Sequence, residues 1–244
     1  MCILEFKNVS KKYPYVKQDL LFDVSFCVKK GQRVGIVAEK QCGKSSLIKM
    51  IAQLTKPTTG QILLDGRDIE NLNLQNEKVG IIFDDFALIK GKSVLENVEF
   101  PLKARKQQNA KQIVAEQVEK FDLKDLSKTK AKKLDDLQKL KTALARLDSR
   151  KDLSLVVFDD IFANISRQDA IKYIDLFLQD KQTSILQTAC DVDHLCDCDV
   201  IYVIAEGTLA FVGNFEQAKQ YIEKTQCFDK FGINEQIEKI LKGD

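Results

Sequence analysis

Residues 38–46 read Ala-Glu-Lys-Gln-Cys-Gly-Lys-Ser-Ser and follow the apolar run Val34-Gly35-Ile36-Val37. A buried strand that turns tightly into a helix is the setting a phosphate cradle requires. Backbone N–H groups and the positive end of the helix dipole face the phosphate oxygens, a lysine reaches the terminal phosphates, and a serine hydroxyl sits on Mg2+. Lys44 and Ser45 stand at the lysine and serine positions, with Ala38, Lys40, Cys42, Gly43 and Ser46 completing the candidate phosphate-binding set. Two glycines of such loops are missing, replaced by Ala38 and Gln41. Glycine serves there because the backbone takes left-handed angles and approaches the ligand closely. The expectation is a nucleotide site that is damaged.

Two further groups of residues could do chemistry. Asp159-Asp160 ends the apolar run Leu153–Phe158, and carboxylates at the end of a buried strand are hard oxygen donors. The competing reading is a strand-end pair that caps the next helix. Cys190, His194 and Cys198 are spaced i, i+4, i+8, with Cys196 close by, so a helix would place thiolates and an imidazole on one face. That spacing matches no common zinc motif, and ordinary free cysteines are the favoured reading.

Elements able to position these groups follow from the apolar pattern. Strand-like runs occur at 3–6, 34–37, 61–64, 79–83, 153–158, 184–187, 200–204 and 209–212, several of them near-continuous in Val, Ile and Leu as strands covered on both faces are. Helical patterns cover 44–54, 168–178 and 215–223. Their alternation implies an α/β fold with a mainly parallel sheet and some antiparallel strands near the beginning. Residues 93–150 carry no strand signal and read as a helical insertion between two strands. Within it, the mixed-sign stretch 124–141 reads as a solvated helical region.

Composition narrows the classes. With 244 residues, 44% hydrophobic and 30% charged, the chain is that of a soluble globular protein, and a net charge of +2 gives no reason to expect a nucleic-acid partner. No apolar run is long enough for a membrane helix, and residues 1–7 lack the apolar core of a secretion signal. A cytoplasmic protein is expected, with its seven cysteines as reduced thiols.

In this order and spacing the elements resemble the ATP-binding subunit of an ABC transporter, over residues 3 to 213. Walker A corresponds to 38–46. Val79–Phe86, with Asp84 at the glutamine position, resembles the Q-loop strand and turn. Leu134, Asp135, Asp136, Leu137 and Gln138 occupy the place of the LSGGQ signature, followed by Ala143-Leu144-Ala145-Arg146. Val156–Asp160 resembles Walker B, Ala189 sits at the switch-histidine position, and Tyr13 sits where the family has an aromatic that stacks on adenine. The resemblance implies a P-loop NTPase, ABC-type ATPase core (1–85 and 151–225) with an antiparallel β edge, a helical subdomain (86–150) and a helical tail (226–244). It implies ATP and Mg2+ as cofactors, transmembrane permease subunits and a second ATP-binding subunit as partners, and a peripheral position on the inner face of the cell membrane.

The departures have consequences. Lys44, Ser45 and Asp159 persist, and these hold phosphate and metal in the family. Asp160 stands at the position of the water-polarising glutamate, with a side chain one methylene shorter, and about 1 Å of misplacement can cost on the order of a hundredfold. Ala189 removes the γ-phosphate imidazole, and Asp84 adds negative charge beside an anionic ligand. Asp135 and Asp136 put carboxylates where donors to a partner's ATP are needed, and like charges facing each other cost several kcal/mol. Slow or absent hydrolysis and an asymmetric pairing are expected. The alternatives are a non-enzymatic scaffold in a membrane complex and a still competent symmetric ATPase. Phe86-Ala87-Leu88-Ile89 with Lys90-Gly91-Lys92 is expected to offer apolar anchors with a basic rim to a membrane subunit's helix.

Overall fold

A computed structural model describes residues 1–14, 20–39, 42–162, 165–179 and 182–227. In chain order the strands and helices are β1 (Cys2–Lys11), β2 (Leu21–Lys29), β3 (Arg33–Ala38), α1 (Lys44–Ile51), β4 (Thr59–Leu64), β5 (Arg67–Asp68), β6 (Val79–Ile82) and α2 (Val94–Ala104). There follow α3 (Ala110–Lys120), α4 (Asp136–Asp148), β7 (Leu155–Asp159), α5 (Arg167–Leu178), β8 (Ser184–Ala189), β9 (Val200–Ala205), β10 (Thr208–Gly213) and α6 (Phe215–Thr225). They divide into two compact units, one built on Lys29–Gln32 and Leu72–Gln187, the other on Cys2–Val28, Arg33–Asn71 and the described residues from Thr188 on.

The second unit carries the phosphate-loop sequence. Its antiparallel part runs in the order β2-β1-β4-β5, with Leu4 opposite Leu64 and Phe6 opposite Ile62. β3 is buried from Val34 to Ala38 and pairs in parallel with β9, Val34 opposite Val200 through Ala38 opposite Ile204. A strand with no solvated face needs apolar residues at every position, which is why this segment reads as a run instead of an alternation. Phe6 stacks on Phe26 with ring centroids 4.4 Å apart, and Phe26 leans on Tyr202 at 5.5 Å.

β2 was not expected. Its buried residues are Leu21, Val24, Phe26 and Val28, an alternation whose phase slips by one at Asp23. Asp23 has φ +53°, and the slip hides the period-two pattern. The cysteine expectation is also corrected: Cys2 on β1 and Cys27 on β2 form a disulfide, with Cα atoms 5.9 Å apart. Composition speaks of the redox compartment, whereas strand neighbourhood brings these two thiols together. The other five cysteines are thiols outside any disulfide.

In the first unit, β6 and β7 are parallel neighbours, Val79 opposite Leu155 through Ile82 opposite Phe158, and the intervening residues form α2, α3 and α4. These helices share one core with α5, built on Val98, Phe121, Leu140, Leu144, Phe158 and Phe177. Ser93 and Glu96 close a capping box on α2, the local signal that starts it. The stretch 124–141 is not one solvated helix. It holds short 3-10 turns at Lys124–Leu126 and Ala131–Lys133 before α4 begins. Lys141 is buried, its ammonium donating to the Asp122 carbonyl at 3.1 Å and lying 4.6 Å from the Tyr173 ring centroid. Burial pulls its pKa below the usual lysine range, against the opposing charge of Asp122. Solvation itself is borne out for most of the stretch, since Lys124, Asp125, Lys128, Lys130, Lys132, Lys133 and Asp135 are exposed; Lys141 is the exception.

Candidate functional site

The turn from β3 into α1 is governed by Gly43, the N-cap residue, at φ +89°. A Cβ there would come within 2.7 Å of Leu21 Cδ2 and 3.2 Å of the Leu20 carbonyl oxygen, so both backbone angle and space demand glycine. No side chain caps α1, and its first turn holds no acidic residue. A helix start of this kind keeps its N–H groups and positive dipole end available to an anion.

Lys44 is only 6% exposed, which removes the reading of an ordinary surface lysine. Its ammonium turns along the loop and donates to the carbonyl oxygens of Ala38 and, at 2.7 Å, Glu39. Ser45 is exposed and Ser46 buried. The Ser46 hydroxyl lies 3.2 Å from that of Tyr13, and either can donate. Ala38 is fully buried at the end of β3, so its methyl is absorbed by strand packing. Cys42 Sγ donates to Glu39 Oε2 at 3.9 Å. Its pKa is raised by burial and by the Glu39 carboxylate, with Lys44 opposing, so this thiol keeps its proton. Lys40 lies outside the described residues.

In the first unit, Asp159 closes β7 and is 2% exposed, while Asp160 follows at φ +44°. Asp84 is exposed just after β6. The next turn is clamped: Asp85 Oδ1 accepts from the Ala87 N–H at 2.9 Å, and Phe86 and Ala87 both take left-handed angles. Arg146 holds that geometry by donating to the Ala87 carbonyl at 2.7 Å and the Phe86 carbonyl at 3.0 Å. Burial lowers the Arg146 pKa while Asp85 opposes the shift. Phe86 is therefore core, 5% exposed among the helices, and not the apolar anchor its neighbours had suggested. The sequence placed Arg146 only in the family-like run Ala143-Leu144-Ala145-Arg146; its fork geometry toward two carbonyls has no linear signal.

The stretch Leu134–Gln138 starts α4. Leu134 is buried, and Leu137 packs against the helical core. Asp135 is the N-cap: its Oδ1 accepts from the Gln138 N–H at 2.8 Å, and Gln138 Oε1 accepts from the Asp135 N–H at 3.2 Å. Asp136 Oδ1 accepts from Lys139 Nζ at 2.7 Å. This helix start has thus spent its outward donor on its own carboxylate, which also neutralises the positive dipole end.

In the second unit, Ala189 is fully buried in a cluster with Val37, Leu195, Ile201 and Val203. A larger polar ring there would displace that packing. Cys190, His194 and Cys198 do not share a helix. Val192–Leu195 forms a 3-10 turn, whose three-residue period does not align i and i+4. The Cys198 thiol is pushed up to about 12 by burial, against the charge of Arg33, and among the described residues no group of three His, Cys, Asp or Glu could hold a metal.

The family model described as ABC transporter matches residues 21–163, more than half of the sequence. The chain belongs to the ABC transporter family. Among curated relatives of this ABC chain are the sn-glycerol-3-phosphate import ATP-binding protein UgpC of Psychromonas ingrahamii and the methionine import ATP-binding protein MetN of Staphylococcus saprophyticus. The first is 29% identical over 87% of this chain and 58% of its own length, the second 28% identical over 98% and 74%. The chain thus spans less than two thirds of the first of these relatives. Its fold matches that of the ATP-binding cassette MJ0796 in a dimeric post-hydrolysis state bound to ADP and Pi, with a TM-score of 0.76, 22% identity, and 87% of this chain and 98% of that one covered. The ABC chain's α1 start fits a phosphate group: an uncapped N-terminus, a left-handed Gly43 and an ammonium bonded to carbonyls that phosphate oxygens can replace. The exposed Ser45 hydroxyl is a hard oxygen donor of the kind Mg2+ takes.

Proposed function

We propose that this ABC chain binds Mg-ATP at its own phosphate loop, turns it over slowly or not at all, and serves as the degenerate half of an asymmetric ATPase pair. In this reading Tyr13, Ala38, Lys40, Cys42, Gly43, Lys44, Ser45 and Ser46 bind the nucleotide. Ser45 and, through water, Asp159 hold Mg2+, and Asp160 is an impaired candidate for polarising water. The observation that carries it is a contrast between two helix starts. α1 keeps its N–H groups uncapped beside Lys44, whereas α4 is closed by Asp135 and carries Asp136 beside it. An anion is attracted to the first and repelled from the second. The absent imidazole at Ala189 and the carboxylate at Asp84 support slow turnover for the same electrostatic and geometric reasons.

The relatives are named as import ATP-binding proteins, and among the described residues no helix is long and apolar enough to cross a membrane. Both support partnership with separate transmembrane permease subunits, at the cytoplasmic face of the cell membrane, together with a second ATP-binding subunit that supplies an intact signature. The test is thermal unfolding with rising Mg-ATP. Saturation at a hundred times the dissociation constant adds about 2.7 kcal/mol, and Lys44→Ala abolishes the shift. No shift in the wild-type chain, or one equal in Lys44→Ala, refutes nucleotide binding and leaves the scaffold reading. Turnover by the isolated chain at ordinary rates refutes the impairment.

A further inference from the structure

Lys11 ends β1 and is 8% exposed. A lysine is seldom this buried unless its ammonium has work for its donors. Nζ donates to Thr55 Oγ1 at 2.7 Å and to the Lys56 carbonyl at 2.5 Å, both in the segment between α1 and β4. It also stands 4.8 Å from the centroid of the Tyr13 ring. Both hydrogen-bond partners are uncharged, and among the described residues no carboxylate pairs with this ammonium, so its positive charge acts on the ring. The Tyr13 hydroxyl is tied to Ser46, in the first turn of α1. One chain of contacts thus links a fixed cation, an aromatic plane and the phosphate-facing end of a helix.

We infer that Lys11 is a positioning residue for Tyr13, which it turns into a platform for a nucleobase, so that the site favours a nucleoside triphosphate over a bare polyphosphate. The inference rests on residues 38–46 being the nucleotide cradle proposed above. The ammonium covers one face of the ring and draws π-electron density toward itself. In this proposal the base takes the opposite face, where a ring so polarised stacks more strongly on an electron-rich purine. The Tyr13–Ser46 bond holds this platform at a set distance from the helix start where the phosphates would lie. Lys11 itself touches neither phosphate nor base.

Isothermal titration of the full chain with Mg-ATP and with Mg-tripolyphosphate separates the possibilities. Lys11→Met weakens ATP binding five- to tenfold and leaves tripolyphosphate binding within twofold of wild type, while Lys11→Arg, which keeps the charge, restores ATP binding. Equal weakening of both ligands overturns the inference, because Lys11 would then act on the phosphates or on the loop's integrity. Unchanged ATP binding in Lys11→Met overturns it as well. A wild-type chain that binds neither ligand overturns the nucleotide reading, and this inference with it.

Discussion

Replacing Asp135 isolates the closed start of α4. Two favourable terms rest on this carboxylate: the side-chain hydrogen bond to the Gln138 N–H at 2.8 Å, and the charge at the helix's positive end. Losing an N-cap costs about 1 kcal/mol, and losing an anion at a helix start costs about 0.5 kcal/mol. Asp135→Ala removes both, about 1.5 kcal/mol together, which lowers the midpoint by about 3–6 °C for a chain of this size. Asp135→Asn keeps an acceptor and loses only the charge, a fall of about 1–2 °C. Differential scanning calorimetry at low salt reads both. The same helix start in Asp135→Ser/Asp136→Gly has one small hydroxyl cap and no local negative charge, so added sulfate stabilises this variant more than the wild type. The reasoning fails if Ala and Asn variants lose equal stability, if Ala loses none, or if sulfate treats variant and wild type alike.

The Arg146 fork makes two hydrogen bonds from one charged group to the carbonyls of Phe86 and Ala87. Arg146→Met is expected to cost about 2–4 kcal/mol in chemical unfolding, and Arg146→Lys to recover less than half of it, because one ammonium cannot span both acceptors. Glu96 has its carboxyl lowered from 4.5 to about 2, first by the Ser93 backbone N–H of its capping box and then by Lys92. Its folded pKa lies below the unfolded one, so its contribution is whole above pH 4.5 and is lost as pH falls toward about 2. Acid unfolding of Glu96→Gln therefore loses this part of the slope, and an unchanged slope between those values would contradict the assignment.

Much of the fold was legible where burial is uniform or local chemistry is strong. The run at Val34–Ala38 and the Gly43-Lys44 turn declared β3 and α1, because a doubly covered strand tolerates only apolar side chains and a left-handed N-cap demands glycine. β2 was not legible, since a single left-handed Asp23 shifts the phase of its alternation. The charges of 124–141 did report a largely solvated stretch, but not its break into 3-10 turns, nor Lys141, which is turned inward onto Asp122 and Tyr173. Phe86 reads as an anchor beside Leu88 and Ile89, yet a left-handed turn clamped from α4 folds it into the core.

By itself the sequence determined the kinds of groups available: a lysine and serine at a strand-to-helix turn, carboxylates at Asp135 and Asp136, and no imidazole at Ala189. Side-chain chemistry and its linear spacing are local properties, so they survive in the string. Tertiary structure alone decided what those groups engage. Lys44 lies back along its own loop, Asp135 closes the helix it begins, and Cys2 meets Cys27 across neighbouring strands. Lys11 lies over Tyr13 with its ammonium held by Thr55 and Lys56, more than forty positions away. Such partnerships depend on which surfaces are desolvated together, and that is settled only when distant segments pack.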